Sequence, residues 1–289
     1  MSKIDNFTIT LCPTVEQAKA LKPDVTIEAE YGDICVEGSV LTLAHHGSRS
    51  SNPAPCNTNV TPLTKGSIVI SHMDLDTIGG IMAVVGEKIK DDAFWKAAEI
   101  IDVKGPHHLY KFPQEIQDKF NALYAWQDTH SGKANSEAVD VKEKVRSYFD
   151  ILHMILDEDN EHHAEMIEKG REWKSMAFNR VESKLIMENE FVRVFVTDGI
   201  FCSGAYYSPS MDIIVPCTVV YNTSYKIITV AFEDGGNENK SARKIVQELW
   251  GNEAGGRDGI AGSPRGVEMS EANFKDAIAL AELYCKYKC

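Results

Sequence analysis

The sequence predicts an α/β protein of two domains. A mainly parallel-sheet N-terminal domain covers residues 1–135, a helical connector covers 136–188, and a smaller mixed-sheet α/β domain covers 189–289. Three observations predict this plan. The first part of the chain is punctuated by short β-branched runs. From Ser136 the apolar residues recur at helical spacing instead. After Asn189 short β-branched runs return, followed by a helical stretch and the densest glycine segment of the chain.

In the first part, residues 7–12 and 39–44 are apolar or β-branched runs that read as strands. Ser67-Ile68-Val69-Ile70-Ser71 reads as a buried strand, because a strand covered on both faces is continuously apolar. A polar, glycine-containing turn follows, and Ile81–Val85 starts a helix. Residues 98–103 form another short apolar run. In the connector, Val141, Val145, Phe149, Leu152 and Leu156 share one helical face, and Ile167, Trp173, Ala177, Val181 and Leu185 continue the pattern. Asp157–Asn160 breaks it into two helices. Phe191–Thr197 is a strand, and Ile213–Tyr221 and Ile227–Phe232 read as a hairpin or neighbouring strands. Ser241 caps a helix running through Trp250, and an amphipathic helix spans roughly 270–287. The two domains are expected to enclose a cleft.

The chain has 289 residues and a formal charge of −13. That charge argues against a partner such as long nucleic acid, which is held by neutralising many phosphates. A small nucleotide stays allowed, since a metal ion and a few arginines supply local positive charge. The seven cysteines (Cys12, Cys35, Cys56, Cys202, Cys217, Cys285, Cys289) are scattered and contain no CxxC pair, so neither a disulfide framework nor a zinc finger is expected. No secretory signal or bilayer-spanning apolar segment is seen. A soluble cytoplasmic protein is expected, and a homodimer is compatible with this reading.

The chemistry concentrates after the buried strand. His72-Met73-Asp74-Leu75-Asp76-Thr77-Ile78-Gly79-Gly80 offers an imidazole and two carboxylates where open α/β sheets place their ligands. Such a set suits manganese or magnesium better than a soft zinc site does. The two glycines are expected to let the backbone turn tightly beside the ions. A second cluster, Asp102-Val103-Lys104-Gly105-Pro106-His107-His108, follows.

The His-x-Asp-x-Asp motif followed by glycine, after a strand ending in serine, resembles the first motif of the DHH phosphoesterase superfamily. The resemblance covers roughly residues 65–110 and 190–268. It implies a centre of one or two Mn2+ ions, with Mg2+ as the other candidate, held by His72, Asp74 and Asp76. The family also has an aspartate at the end of a second strand and then an Asp-His-His signature. Asp102 takes the first role, and His107–His108 form a degenerate signature in which Pro106 replaces the aspartate. One of the pair, assigned as His108, binds metal while the other faces the substrate phosphate. A last aspartate beyond the pair is assigned to Asp128, with Asp150 and Asp157 as alternatives.

The segment Gly255-Gly256-Arg257-Asp258-Gly259-Ile260-Ala261-Gly262-Ser263-Pro264-Arg265-Gly266 resembles the glycine-rich motif of the DHH-associated C-terminal domain. The resemblance implies that Gly255, Gly256, Arg257, Gly259, Ser263 and Arg265 form a loop that holds substrate across the cleft, with Arg257 also serving catalysis. Glycine amides can approach an anion closely, and arginine grips phosphate through two parallel hydrogen bonds. The stretch from Ala44 to Asn57 is unexplained by the resemblance. His45, His46, Arg49 and Asn52 within it are read as substrate contacts.

The function expected is hydrolysis of a cyclic or linear dinucleotide, a short oligonucleotide or a phosphomonoester by water activated at a divalent ion. Two other classes stay open: a non-catalytic nucleotide sensor, and a metal-dependent hydrolase of a non-phosphate bond.

Overall fold

The structure, a computed structural model, describes residues 2–46, 49–130 and 136–287. Gly47, Ser48 and Cys289 lie outside the described residues. The chain divides into two compact units, residues 1–174 and 175–289, both of mixed α/β build. Among the described residues no helix is long and apolar enough to cross a membrane.

In the first unit the strands are β1 (Phe7–Leu11), β2 (Val25–Ile27), β3 (Glu30–Tyr31), β4 (Ile34–Cys35), β5 (Leu41–Leu43), β6 (Gly66–Ile70) and β7 (Val139–Asp140). The helices are α1 (Val15–Leu21), α2 (Leu75–Val85), α3 (Asp92–Lys104), α4 (Gln114–His130), α5 (Lys142–Leu156) and the start of α6 (His163–Glu182). β3 and β4 form a small hairpin. The main sheet has the order β5-β2-β6-β1-β7. Its first four strands are parallel, and β7 runs antiparallel to β1. The register pairs Ile27 with both Leu43 and Ile70, so β5, β2 and β6 end side by side. Whatever follows Ile27, Leu43 and Ile70 in sequence therefore meets at one end of the sheet.

The core explains why this end is firm. Ile9, Ile27, Ile68 and Ile70 of the sheet pack with Ile78, Ile81 and Met82 of α2, and with Phe94, Trp95, Phe120, Phe149 and Leu152. Every residue of α2 from Asp76 to Val85 is buried, which makes it a core helix rather than an amphipathic one.

The helix expected to start at Ile81 starts at Leu75, because the Asp74 carboxylate caps it by accepting the Thr77 N–H at 2.9 Å. Residues 98–103, which were to carry Asp102 to a strand end, lie in α3. The buried Phe94, Trp95, Ala97 and Ala98 sit on one helical face, and Asp91 caps the helix by accepting the Phe94 N–H at 2.9 Å. A short apolar run alone does not separate the two periods.

The second unit holds β8 (Leu185–Glu188), β9 (Val192–Thr197), β10 (Tyr207–Ser208), β11 (Ile213–Ile214), β12 (Cys217–Asn222), β13 (Ile227–Phe232), β14 (Gly255–Gly256) and β15 (Ile260–Gly262), with helices α7 (Ala242–Trp250) and α8 (Glu271–Tyr287). Its main sheet has the order β14-β15-β13-β12-β9-β8 and is antiparallel except for β12 on β9. α7 and α8 pack on it through Ile245, Val246, Phe274, Ala277 and Ala281. Ser241 caps α7, its hydroxyl accepting the Lys244 N–H at 3.2 Å. The stretch Ile213–Tyr221 is split at Pro216: Ile213–Ile214 pairs with Tyr207–Ser208, and only Cys217 onward joins the sheet. Proline cannot donate to a ladder, so the break falls there. The glycine-rich segment is an antiparallel hairpin, β14 on β15, rather than a free loop.

Candidate metal centre

Three strand ends and two helices build a cluster of titratable groups. Glu28 follows β2, His45 and His46 follow β5, and His72 follows β6. Asp74 and Asp76 lie at the start of α2, and Asp102 projects from α3. Glu28 has a left-handed backbone, φ 48°, which a non-glycine residue adopts at a cost of about 1–3 kcal/mol. It is clamped there from both sides. Its N–H donates to Leu43 O at 2.8 Å, and its carbonyl accepts the Ser71 hydroxyl. The side chain is wholly buried and its two oxygens face opposite ways.

One oxygen faces the first group. His45 Nε2 lies 3.0 Å from Glu28 Oε1, 3.1 Å from Asp76 Oδ2 and 3.2 Å from Asp102 Oδ2. His46 Nε2 lies 3.2 Å from Glu28 Oε1 and 3.5 Å from Asp102 Oδ2. The other oxygen faces the second group. His72 Nε2 lies 3.0 Å from Glu28 Oε2 and 2.9 Å from Asp74 Oδ2, and Thr77 Oγ1 donates to Glu28 Oε2 at 3.1 Å. Ligand-type atoms of Glu28, His45, His46 and Asp102 lie within 4.8 Å of one another, as do those of Glu28, His72 and Asp74, and Asp76 joins the first set through its 3.1 Å approach to His45.

The atoms present fit a divalent cation. Glu28 Oε1, His45 Nε2, Asp76 Oδ2 and Asp102 Oδ2 are all buried, and none makes a directed hydrogen bond. With neither a proton nor an ion between them these buried atoms would be left unsatisfied, which is costly, and they converge on one place. Two ligands at right angles on an ion bound at about 2.1 Å lie about 3.0 Å apart, which is the spacing His45 keeps to its carboxylate neighbours. Carboxylate and imidazole donors suit manganese or magnesium.

Outer contacts orient these donors. The Ser71 hydroxyl gives its proton to the Glu28 carbonyl, so toward His72 Nδ1, 2.8 Å away, it can only accept. Nδ1 therefore keeps a proton, and when Nε2 gives up its own it offers the lone pair a metal ligand needs. The Cys56 N–H donates to Asp76 Oδ1 at 2.7 Å, leaving Oδ2 for the cluster.

The electrostatics demand positive charge. Burial disfavours a charged His45, but Asp102, Asp76 and Glu28 outweigh it and push its pKa up to about 12. Burial likewise opposes protonation of His72, yet Asp74 and Glu28 raise it to about 10. Burial would raise Glu28, and the histidines around it instead hold it well below the usual carboxylate range. Burial keeps Asp76 above its ordinary value. Without a metal, protons on the histidines balance the carboxylates; a divalent ion balances them in the same place.

The structure thus brings His72, Asp74, Asp76 and Asp102 together, with His45 and His46 among them. Asp128 is exposed on α4, accepts from Trp173 Nε1 at 3.3 Å and belongs to no converging group among the described residues. His107 and His108 lie on a 3-10 turn, Pro106–Lys111, with rings 4.5 Å apart, and neither joins the groups built on Glu28. His108 Nδ1 is 3.1 Å from Lys111 Nζ. Arg49 pairs with Glu37 at 2.6 Å, and Asn52 donates to Ala44 O at 3.0 Å, so both brace the segment after β5. In the second unit Gly255 and Gly256 form β14, and Arg257 and Arg265 are exposed. The Arg257 N–H donates to Ile260 O at 2.8 Å, and Ser263 Oγ accepts the Ile228 N–H at 3.2 Å. A Cβ on Gly259 would stand 2.5 Å from Gly235 O, so that glycine serves a close backbone approach.

Sequence reasoning missed Glu28. The available signal was a carboxylate directly after the β-branched triplet Val25-Thr26-Ile27.

No family model and no curated protein matches the chain. Among solved structures it is similar to a crystal structure of exonuclease RecJ bound to manganese, with a TM-score of 0.35 and 12% identity over 99% of this chain and 78% of that one. It is also similar to an uncharacterized protein from Helicobacter pylori G27, with a TM-score of 0.24 and 10% identity over 84% of this chain and 74% of that one. Likenesses of this size carry no argument about chemistry.

Proposed function

We propose that the chain is a metal-dependent phosphoesterase acting on a small nucleotide phosphodiester or a phosphomonoester, and a divergent relative of the DHH phosphoesterases. The observation that carries the metal part is the convergence of orphaned buried atoms from Glu28, His45, Asp76 and Asp102 at the ends of parallel strands. Glu28 Oε1, His45, His46, Asp76 and Asp102 would hold one ion, and Glu28 Oε2, His72 and Asp74 a second. Manganese is the ion this donor set favours, with magnesium next. The DHH part is supported by the His72-Asp74-Asp76 motif. A strand-end carboxylate, Glu28, and a histidine pair, His45–His46, accompany it. In this chain they precede the motif, where the family has them after it.

A divalent ion in such a site makes water nucleophilic near neutral pH and stabilises charge on phosphoryl oxygens. The chain's own residues supply the rest. His46, His72 and Asp74 are partly exposed, so solvent and substrate reach the cluster past these three side chains. His45, Glu28 and Asp76 are buried and keep their geometry without solvent contact. Ser71 and the Cys56 N–H hold His72 and Asp76 in ligand orientation.

The test is metal analysis of the purified protein, followed by turnover of a panel of dinucleotides, short oligonucleotides and phosphomonoesters with added manganese. Manganese-dependent release of phosphate or nucleotide is expected. Intact manganese binding with no turnover of any phosphate compound would sink the phosphoesterase reading.

A further inference from the structure

Gly79 and Gly80 do not turn the chain. Both lie inside α2, and neither has a positive φ. Glycine weakens a helix interior, so two in succession call for a packing reason. A Cβ on Gly79 would stand 2.5 Å from Cys56 Cβ and 2.7 Å from Trp95 Cζ3. A Cβ on Gly80 would stand 2.8 Å from Pro55 Cβ and 3.0 Å from Ile27 Cγ2. The pair is a notch in the helix, and the segment Ala54–Asn57 lies in it.

That segment is tied on every side. The Cys56 carbonyl accepts from Lys88 Nζ. Asn57 Nδ2 donates to Trp95 O at 3.1 Å and to Glu99 Oε2 at 2.8 Å, both on α3. It meets the cluster at Asp76, whose Oδ1 accepts the Cys56 N–H at 2.7 Å. The donor is a backbone amide, so its position follows the path of the chain and not a rotamer.

Resting on the metal reading above, we propose that Ala54–Asn57 is the orienting brace of the metal centre, and that the Gly79–Gly80 notch exists to admit it. The Cys56 N–H occupies one oxygen of Asp76 and makes that carboxylate a one-oxygen ligand. The same segment locks α2, which carries Asp76, to α3, which carries Asp102. Cys56 and its neighbours are positioning residues, acting through Asp76.

The experiment measures manganese affinity by calorimetry in wild type, Gly80→Ala, Pro55→Gly and the double variant, each checked for folding by circular dichroism. Gly80→Ala pushes Pro55 away while leaving every ligand in the sequence, and alanine is the better helix former. Its manganese affinity is expected to fall about 10- to 100-fold, the range for losing a group that orients a ligand. Pro55→Gly removes the opposing Cβ and is expected to restore most of that loss in the double variant. A merely structural notch would lower the melting temperature without changing the affinity of the folded protein. A folded Gly80→Ala variant with wild-type affinity, or a double variant with no rescue, overturns the brace. If Gly80→Ala does not fold, Lys88→Met carries the test: it frees the Cys56 carbonyl, weaker manganese binding supports the brace, and wild-type affinity overturns it. A wild-type protein that binds no manganese overturns the metal reading itself, and the brace with it.

Discussion

Replacing Glu28 with glutamine keeps shape and removes one charge from the centre of the cluster. In the native chain Glu28 Oε1 is 3.0 Å from His45 Nε2 and Oε2 is 3.0 Å from His72 Nε2, so this carboxylate serves both groups of donors. At an effective dielectric near 20, a unit charge about 4 Å away is worth about 4 kcal/mol to another unit charge. A dication held closer gains at least that gross amount, and the amide oxygen retains part of the donor function. A net loss of about 3 kcal/mol, or about 100-fold in manganese affinity, is expected for Glu28→Gln. Glu28→Asp keeps the charge but withdraws it by one methylene, and should fall between glutamine and wild type. Calorimetric titration of manganese into metal-free protein reads both. Wild-type affinity in Glu28→Gln would refute the placing of Glu28 at the centre of the site.

Ser71→Ala removes the acceptor that fixes the His72 tautomer and the clamp on the Glu28 carbonyl, so manganese affinity should drop about 10- to 100-fold; an unchanged titration would contradict the tautomer argument. The His45 pKa is raised to about 12 from an ordinary 6.5, so its proton stabilises the metal-free protein fully below pH 6.5, and that contribution fades as pH rises toward 12. Thermal melts of metal-free protein should therefore lose stability between pH 7 and about 10, while manganese binding strengthens over the same range as protons are displaced; melts that are flat or rise with pH would contradict it. In the second unit the buried Arg193 donates to Glu182 at 2.7 Å, to Glu188 at 3.0 Å and to Ala205 O at 2.8 Å. Arg193→Ala strands those partners and should cost about 3–5 kcal/mol in a denaturant melt, and a loss below about 1 kcal/mol would show that the network contributes little.

The parts of the fold written in local pattern were legible. Ser67–Ser71 reads as a buried strand because a parallel strand covered on both faces is apolar throughout, and the helical spacing from Val141 to Leu156 is long enough to be unambiguous. Ala98–Val103 was not, because so short a run fits either period until Asp91 and Phe94 are seen to start a helix. His72, Asp74 and Asp76 were visible as a set because one turn of chain carries all of them. Glu28 stood alone in sequence, and only the β2–β6 register brings it opposite Ser71 and so beside His72. His45 and His46 were noticed as unusual, yet their role depends on β5 lying beside β2, a pairing that local sequence does not encode. His107–His108 drew attention through the order expected of a family, whereas the pair beside Glu28 comes earlier in the chain.

The most direct test of the central claim is a crystal of the protein soaked in manganese, with anomalous scattering recorded at the manganese edge. A manganese peak is expected between Glu28 Oε1, His45 Nε2, Asp76 Oδ2 and Asp102 Oδ2, within about 2.0–2.4 Å of its ligands. A fully soaked crystal with no peak there, or with manganese bound only elsewhere, would contradict it.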